Sequence, residues 1–317
     1  MDISRNSRCV KTIRNGTGRP TSWLAARVTT SRRALLNGIT VFQQAKILLF
    51  YLIFYIALIS FFFGLLALFY QTLDFHTPKW TLSKSIIGTN PGLGFRPMPP
   101  DSHVESTLIW YKMADDNYAP WVEKLDEFLK PYRELSKETE ANAVNCDFSD
   151  SQDNPERVCK VDISNWTPCV KEGKYNYDKG APCIFLKLNK IFDWAPQFFN
   201  DTAKLPKNMP QDLKAHIDLE SRNNKNALNT VWVSCEGENP ADVENIGSIQ
   251  YIPRRGFPGY YFPYKNQKGY LQPIIAIWFE KPANGVLINI ECKAWAHNIQ
   301  HDRAERRGSV HFELMVD

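Results

Sequence analysis

Cysteine and histidine are the residue types in this chain whose spacing could support chemistry. Six of the seven cysteines lie between residues 146 and 292. None of them has the close CxxC spacing of structural zinc sites, so we do not expect them to bind metal. An even number of cysteines outside the cytoplasm instead predicts three disulfides. The six cysteines are Cys146, Cys159, Cys169, Cys183, Cys235 and Cys292.

The lengths of the closed loops favour one pairing. Six cysteines allow fifteen pairings in principle. Short loops favour Cys146 with Cys159 and Cys169 with Cys183, and the remaining two, Cys235 and Cys292, would then close a long loop.

Sequence motifs for catalysis are absent. His297 and His301 have the i, i+4 spacing of a zinc site, but HExxH needs a Glu where this chain has Asn298. Asp147 and Asp150 do not form the Asp-x-Asp that Golgi glycosyltransferases commonly use, and the chain contains no GxSxG, P-loop or Rossmann fingerprint. We therefore predict no catalytic residue, metal or cofactor. A membrane-anchored enzyme stays an alternative only through a site assembled from distant residues.

An apolar run from Ile47 to Tyr70 predicts a single membrane-spanning helix. Its 24 residues contain no charge, proline or amide side chain. A helix of that length crosses a hydrocarbon core of roughly 30 Å. A cleavable signal peptide would be shorter, nearer the start and followed by a small-residue cleavage site. The run is therefore expected to be a retained signal anchor.

Basic residues are concentrated before this run. Residues 1–46 hold nine Lys or Arg and one acid, a net charge of +8, so the remainder carries −4 in a chain of +4. Such a tail beside an apolar run predicts a cytoplasmic N-terminus, with residues 71–317 outside, rather than nucleic-acid binding. In this tail we expect Cys9 to be a reduced thiol and the sequon at Asn15 to stay unmodified. Outside, the sequons at Asn165 and Asn200 predict glycosylation.

Aromatic residues form a stripe on the membrane helix. Phe50, Tyr51, Phe54, Tyr55 and Leu58 fall on one face. A tyrosine hydroxyl deep in lipid needs a partner, which another transmembrane helix would supply. The alternative is that the tyrosines belong to the interfacial aromatic belt.

The outer part has strand patterns of period two or short apolar runs. Together they predict a mainly-β domain, an immunoglobulin-like sandwich with an added helix, following the single transmembrane helix. The added helix is expected from Pro120 to Lys130, with Pro131 ending it. The predicted strands are Cys183–Leu188, Thr230–Cys235, Ile274–Phe279, Ile288–Ala294 and Val310–Met315. The predicted regions are a cytoplasmic tail (1–46), the membrane helix (47–70), a proline-rich stalk (71–104) and a disulfide-bonded extracellular domain (105–317).

Four segments carry a resemblance to a known family. They are FYLIFYIAL at 50–58, GAPCIFLKLNK at 180–190, YLQP at 270–273 and IECKA at 290–294. With the six outer cysteines, they make residues 46–317 resemble the β subunits of the Na,K-ATPase and H,K-ATPase.

This resemblance implies a non-catalytic subunit of a Na,K-transporting P-type ATPase at the plasma membrane. Such a subunit stabilises the catalytic α subunit, carries it from the endoplasmic reticulum and modulates potassium affinity, while ATP and the ions bind α. The resemblance also implies three disulfides in chain order. The residues expected to bind α are Phe50, Tyr51, Phe54, Tyr55, Tyr260, Tyr261 and Tyr264.

The chain departs from the family pattern in one presumed contact. Where the family usually reads YYPYYGK, residues 261–266 read YFPYKN, so two aromatic hydroxyls and a glycine are missing. An ordinary exposed turn is the alternative for these aromatics. A second functional reading is an adhesion or junction glycoprotein that contacts another copy of itself on an adjoining cell.

Overall fold

A computed structural model describes residues 22–99, 106–148, 157–302, 305 and 307–317, without the side chains of 22–42 and Asp115. The predictions for Cys9 and Asn15 fall outside the described residues. The chain divides into two compact units, residues 1–73 and residues 74–317. The second unit is named here the β-rich domain.

Helix α1 dominates the first unit and runs from Ser22 to Gln71 over 50 residues. No proline lies between Pro20 and Pro78 to interrupt it. The part apolar enough to cross a membrane is Gln43–Gln71, which contains the predicted span. Its large apolar side chains are almost all exposed in the isolated chain. A helix that is apolar all round is typical of a membrane span.

The described residues of the β-rich domain include three sheets. A four-stranded sheet has the order β1-β5-β9-β7, a five-stranded sheet has the order β2-β11-β10-β6-β8, and β3 pairs with β4. All pairs are antiparallel except β2 with β11 and β3 with β4. The strands are β1 (Leu93–Arg96), β2 (Leu108–Tyr111), β3 (Ala143–Val144), β4 (Val158–Cys159), β5 (Cys183–Leu188), β6 (Thr230–Gly237), β7 (Ile249–Ile252), β8 (Gly256–Pro258), β9 (Ile274–Phe279), β10 (Ile288–Trp295) and β11 (Ser309–Val316).

Four α-helices lie between these strands. They are α2 (Ala119–Arg133), α3 (Lys137–Asn142), α4 (Gln211–Asn223) and α5 (Pro240–Asn245). Helix α2 buries Trp121, Leu125 and Leu129, which are four residues apart and share one face. The Trp121 indole N–H also donates to the Trp110 carbonyl at 3.0 Å, which ties α2 to β2.

The two large sheets share one hydrophobic core. Phe95 of β1 stacks on Phe312 of β11 with ring centres 5.0 Å apart, and Phe279 of β9 meets Phe312 edge-on at 6.3 Å. These rings join the four-stranded sheet to the five-stranded sheet. The arrangement is a two-layer sandwich, and the predicted class, one apolar helix followed by a mainly-β domain, is confirmed.

The five strands predicted from the sequence are all present, but β1 was not foreseen. It lies inside the segment predicted as a stalk, yet it pairs with β5 and buries Leu93 and Phe95. Its alternating pattern covers only four residues between Gly92 and Pro97. So short a pattern is hard to distinguish from an extended linker.

Helix α2 continues beyond its predicted end. The sequence placed the end at Pro131, whereas the helix reaches Arg133 with Pro131 inside it. A proline costs most in a helix interior, where it removes a backbone hydrogen bond. In the last turn the loss is confined to one bond, and Glu134 still donates to the Lys130 carbonyl at 2.8 Å.

Three disulfides connect parts of the β-rich domain. Cys146–Cys159 spans the ends of β3 and β4, and Cys169–Cys183 ties a loop to the first residue of β5. Cys235–Cys292 joins adjacent strands, β6 and β10, within one sheet. This differs from an immunoglobulin domain, in which the disulfide bridges the two sheets.

Removal of the Cys235–Cys292 disulfide should cost the most stability. It closes a sequence separation of 57 residues, against 13 and 14 for the others. In the chain-entropy model, this disulfide contributes about 4 kcal/mol to the free energy of unfolding, and each of the others contributes about 3 kcal/mol. Guanidinium unfolding of the full chain in mild detergent, with paired Cys→Ala variants, measures this. Equal losses for the Cys235/Cys292 and Cys146/Cys159 variants would contradict the expectation.

Candidate partner interface

The aromatic stripe on α1 presents two columns of stacked rings. Phe50 stacks with Phe54 at 6.3 Å between ring centres, and Tyr51 stacks with Tyr55 at 6.2 Å. The exposed fraction of these four residues is between 49 % and 63 % in the isolated chain. The predicted stripe is therefore a continuous surface open to a partner or to lipid.

Tyr51 and Tyr55 also line a shallow apolar groove on this helix, together with Leu48 and Leu52. A hydroxyl transferred to apolar surroundings without a hydrogen bond costs roughly 1–3 kcal/mol. Since both rings are exposed along the helix, their hydroxyls must find water at the interface or a polar group on another helix. The groove beside them has room for a neighbouring side chain.

The second set of predicted residues lies in the aromatic turn, defined here as residues 259–264. It follows β8, and Gly259–Tyr261 forms one turn of 3₁₀-helix. Tyr260 packs on Tyr261 at 4.6 Å and on Phe148 at 5.4 Å between ring centres. The tyrosines of the turn are half-buried, so the segment is more tightly packed than an ordinary exposed turn.

Tyr261 is engaged inside the chain. Its hydroxyl donates to the Lys160 carbonyl at 3.0 Å, and burial raises the pKa of this hydroxyl. Lys160 directly follows Cys159 of the Cys146–Cys159 disulfide. The hydroxyl thus fixes the aromatic turn to the disulfide loop, and the Tyr261 ring is half-buried.

Tyr264 stands in a cluster of rings and a cation. Its ring centre is 4.9 Å from that of Tyr270 and 4.9 Å from the Lys190 ammonium. Its hydroxyl donates to Asn266 Oδ1 at 3.1 Å, and its carbonyl accepts from the Asp193 N–H at 2.8 Å. Tyr264 is therefore positioned by neighbours on both sides.

Phe262 and Lys265, which replace the family's tyrosines, both make contacts within the chain. Phe262 meets Trp194 edge-on with ring centres 5.7 Å apart, a contact that needs no hydroxyl. Lys265 lies 3.6 Å from Asp193, with both side chains about half exposed. Such a surface ion pair contributes at most about 1 kcal/mol.

A small cleft lies next to the turn. Its volume is about 250 Å³, and Phe148, Phe198, Tyr260 and Phe262 line it. The Arg254 guanidinium covers Phe148 at 4.7 Å from the ring centre. Phe148 was not among the residues predicted to form this surface. It precedes Tyr260 by more than a hundred positions in the sequence, and it lies beside the turn because the Cys146–Cys159 disulfide loop packs there.

The two outer sequons are accessible. Asn165 and Thr167 are exposed, while Trp166 between them is buried. Asn200 is also exposed and follows the buried Phe199. Both asparagines can therefore be reached by a glycosylating enzyme, and glycosylation at each remains a prediction.

The histidines considered for metal binding have other contacts. His301 Nε2 lies 2.7 Å from the Ala294 carbonyl, and burial lowers the pKa of this ring. His297 lies against Phe199 at 4.2 Å between ring centres. Within the described part of the chain, no group of three or more His, Cys, Asp or Glu is arranged to hold a metal ion.

A groove of about 520 Å³ in the β-rich domain lies beside α4. The Arg255 side chain in this groove is largely buried. Its guanidinium donates to the Asp212 carboxylate at 2.6 Å and to the Val233 carbonyl at 3.2 Å. Burial, and then the positive charge of Arg255, lower the pKa of His216. The Arg255 contacts join α4 to β6, so this guanidinium serves the fold.

In the described residues, one apolar helix long enough to cross a membrane precedes a disulfide-bonded β-sandwich. This arrangement fits a single-pass membrane protein. The sequence pattern of the family described as sodium/potassium ATPase beta chain matches residues 28–312. The chain belongs to this family.

Similar proteins cover nearly the same length. The sodium/potassium-transporting ATPase subunit beta-2 of Drosophila melanogaster is 54 % identical over 277 residues, 86 % of this chain and 85 % of that protein. Subunit beta-1 of the same organism is 41 % identical over 278 residues, 86 % of each chain. A probable subunit beta-3 of Caenorhabditis briggsae is 32 % identical over 289 residues, 90 % of this chain and 84 % of that protein.

Tyr261→Phe should destabilise the β-rich domain more than Tyr264→Phe. The first substitution removes the hydrogen bond to the Lys160 carbonyl and should cost about 1 kcal/mol. The second removes a bond to the exposed Asn266 side chain and should cost less than about 0.5 kcal/mol. Chemical unfolding of both variants measures the difference. Equal costs would show that Tyr261 does not fix the turn to the disulfide loop.

Stability should also fall as the pH drops below about 6.5, the pKa of an unfolded-state histidine. Burial lowers the pKa of His216 and His301 in the folded chain. The unfolded chain therefore takes up protons at a higher pH than the folded chain does. The stability that the two neutral histidines contribute is complete above about pH 6.5 and is lost as the pH falls below it. The double variant His216→Gln, His301→Gln should flatten the slope of unfolding free energy between pH 7 and 5. The matched control is His76→Gln, which removes an exposed ring; a wild-type slope in the double variant would contradict the assignment.

Proposed function

We propose that this chain is the non-catalytic β subunit of a Na,K-transporting P-type ATPase and acts at the plasma membrane. In this role it assembles with the catalytic α subunit, stabilises it and accompanies it from the endoplasmic reticulum. ATP and the transported ions bind α. The observation that carries the proposal is the exposed aromatic stripe of α1, in a chain that belongs to the β-chain family.

The stripe suits a protein partner better than an anchor alone. An anchor needs only apolar side chains of sufficient length. Here Tyr51 and Tyr55 form a stacked column beside an apolar groove, and their hydroxyls gain from a polar group on a neighbouring helix. A helix of α packed along this face would satisfy them and fill the groove.

The charge pattern and the sequons support a type II orientation. The tail before the membrane segment carries a net charge of +8, which favours retention in the cytoplasm. Asn165 and Asn200 are exposed on the β-rich domain, and so are accessible if that domain is extracellular. Three disulfides in the same domain suit an oxidising compartment.

Modulation of potassium affinity would follow from contact at the outer face of the pump. A subunit that binds one state of α more tightly than another shifts the balance between those states, and with it the affinity for an ion. The aromatic turn would supply such a contact surface through the half-buried residues Tyr260, Tyr261 and Tyr264. Binding to folded α also stabilises α by mass action.

Adhesion between copies on adjoining cells is the second candidate. It is favoured by the internal use of the Tyr261 hydroxyl and by Phe262 facing Trp194. Both reduce the polar contacts that the aromatic turn can offer to α. An adhesive role would leave the aromatic stripe of α1 without a protein partner.

Tyr51→Ala with Tyr55→Ala should weaken binding of α to the tagged chain about eight- to thirtyfold and lower its recovery, since helix contacts of this kind contribute about 0.6–1 kcal/mol each. The fold of the β-rich domain should be unchanged. Co-purification in mild detergent, followed by quantification of α, measures the effect.

Leu49→Ala with Ile53→Ala is the matched control. These residues have the same i, i+4 spacing but lie two positions earlier, about 160° round the helix. They should leave recovery near the wild-type value. Undiminished recovery of α with the tyrosine variant would refute the contact, and equal losses in both variants would show that the helix lacks a specific face.

A further inference from the structure

Three cations gather at the outer face of the four-stranded sheet. Strands β1 and β5 pair with Gly94 opposite Lys187 and Arg96 opposite Phe185. Arg96 and Lys187 are therefore diagonal neighbours on one face, roughly 7–8 Å apart. Lys190 follows just after β5. We propose that Arg96, Lys187 and Lys190 bind a carboxylate side chain on an outer loop of the partner α subunit, an inference that rests on the proposed function.

The cations are held in place by their surroundings. The Arg96 guanidinium lies 5.6 Å from the Phe128 ring centre, and one of its N–H groups donates to the Phe95 carbonyl at 2.7 Å. Lys187 lies across Gly94, where an added methyl group would come within 3.4 Å of Lys187 Cε. Among the described residues, the Phe95 carbonyl is the one hydrogen-bond acceptor of the guanidinium, which carries five N–H donors. The cluster is therefore partly pre-organised.

The positive charge of the cluster is not compensated within the described residues. Arg96 and Lys187 are half-buried, and no described carboxylate forms an ion pair with either of them or with Lys190. Burial lowers the pKa of Arg96. Burial, followed by the charges of Arg96 and Lys190, lowers the pKa of Lys187. By contrast, Arg133 pairs with Asp126, and Arg255 pairs with Asp212.

Half-buried like charges cost free energy in the isolated chain, and an incoming anion offsets that cost. The binding of a carboxylate by an arginine adds directed, charge-assisted hydrogen bonds. The cluster therefore favours a state in which an acidic group covers it. The arrangement stabilises the complex rather than the free subunit.

The cluster is continuous with the aromatic turn, which identifies the source of the acidic group. Lys190 lies 4.9 Å from the ring centre of Tyr264, a residue of the proposed contact with α. Asn266, two residues after Tyr264, also donates to the His76 carbonyl, which joins this part of the chain to the first residues of the β-rich domain. An outer loop of α that meets Tyr264 can therefore reach Lys190 and Lys187.

The test compares two neutral double variants of the full chain. Arg96→Gln with Lys187→Gln should raise the Kd for α at least about tenfold and reduce the weakening of the complex by added NaCl. The same variant alone should have an unchanged or higher melting temperature, because it removes like charges. Lys112→Gln with Lys225→Gln, which removes two exposed cations elsewhere, should behave as wild type in both measurements.

Four results would overturn the inference. Wild-type affinity and salt dependence in the Arg96/Lys187 variant would show that the cations do not face α. Weaker binding with an equally lowered melting temperature would show that they support the fold of this chain. Unchanged binding to α with lost binding to phosphatidylserine vesicles would assign them to lipid phosphate. Recovery of the wild-type chain without any P-type ATPase would reject the proposed function itself, and this inference with it.

Discussion

The pairing of β6 with β10 is the constraint on which the β-rich domain depends. It places Cys235 opposite Cys292 and Trp232 opposite Trp295, and the disulfide fixes that register covalently. In β10, Ile288 and Ile290 face the core, while Asn289 and Glu291 are half-buried. A shift of one residue would turn these side chains to the other face of the sheet. The core shared by the two sheets therefore rests on this register.

The surfaces that would meet a partner are built in two different ways. On α1, the aromatic side chains are exposed and need surroundings supplied by lipid or by another helix. In the aromatic turn, Tyr261 is bonded to the disulfide loop, while Tyr264 is held between Lys190 and Tyr270. These contacts hold the turn in place in the free chain, which lowers the entropy cost of association. The membrane helix would give the partner a long exposed face, and the aromatic turn would give it a preformed surface.

Alternation of apolar and polar residues was sufficient to predict β10 and β11, and short apolar runs were sufficient to predict β5, β6 and β9. A longer uncharged apolar run was sufficient to predict the membrane helix. Shorter elements were missed: β1 covers only Leu93–Arg96 between a glycine and a proline, and α4 buries only Leu213 and Ile217. The aromatic residues of α1 were found from their helical spacing and those of the aromatic turn through the family resemblance, whereas the neighbours of the turn were not predicted. Arg96 and Lys187 are far apart in the chain and meet only because β1 pairs with β5, so no local pattern reveals their shared charge.

The central claim is that this chain works as one subunit of a cation pump. It is tested most directly by affinity purification of the tagged full-length chain in mild detergent, with identification and quantification of the proteins that come with it. The account predicts one catalytic subunit of a P-type ATPase for each copy of the chain. Recovery of the chain alone, or only with further copies of itself, would contradict the account and favour adhesion.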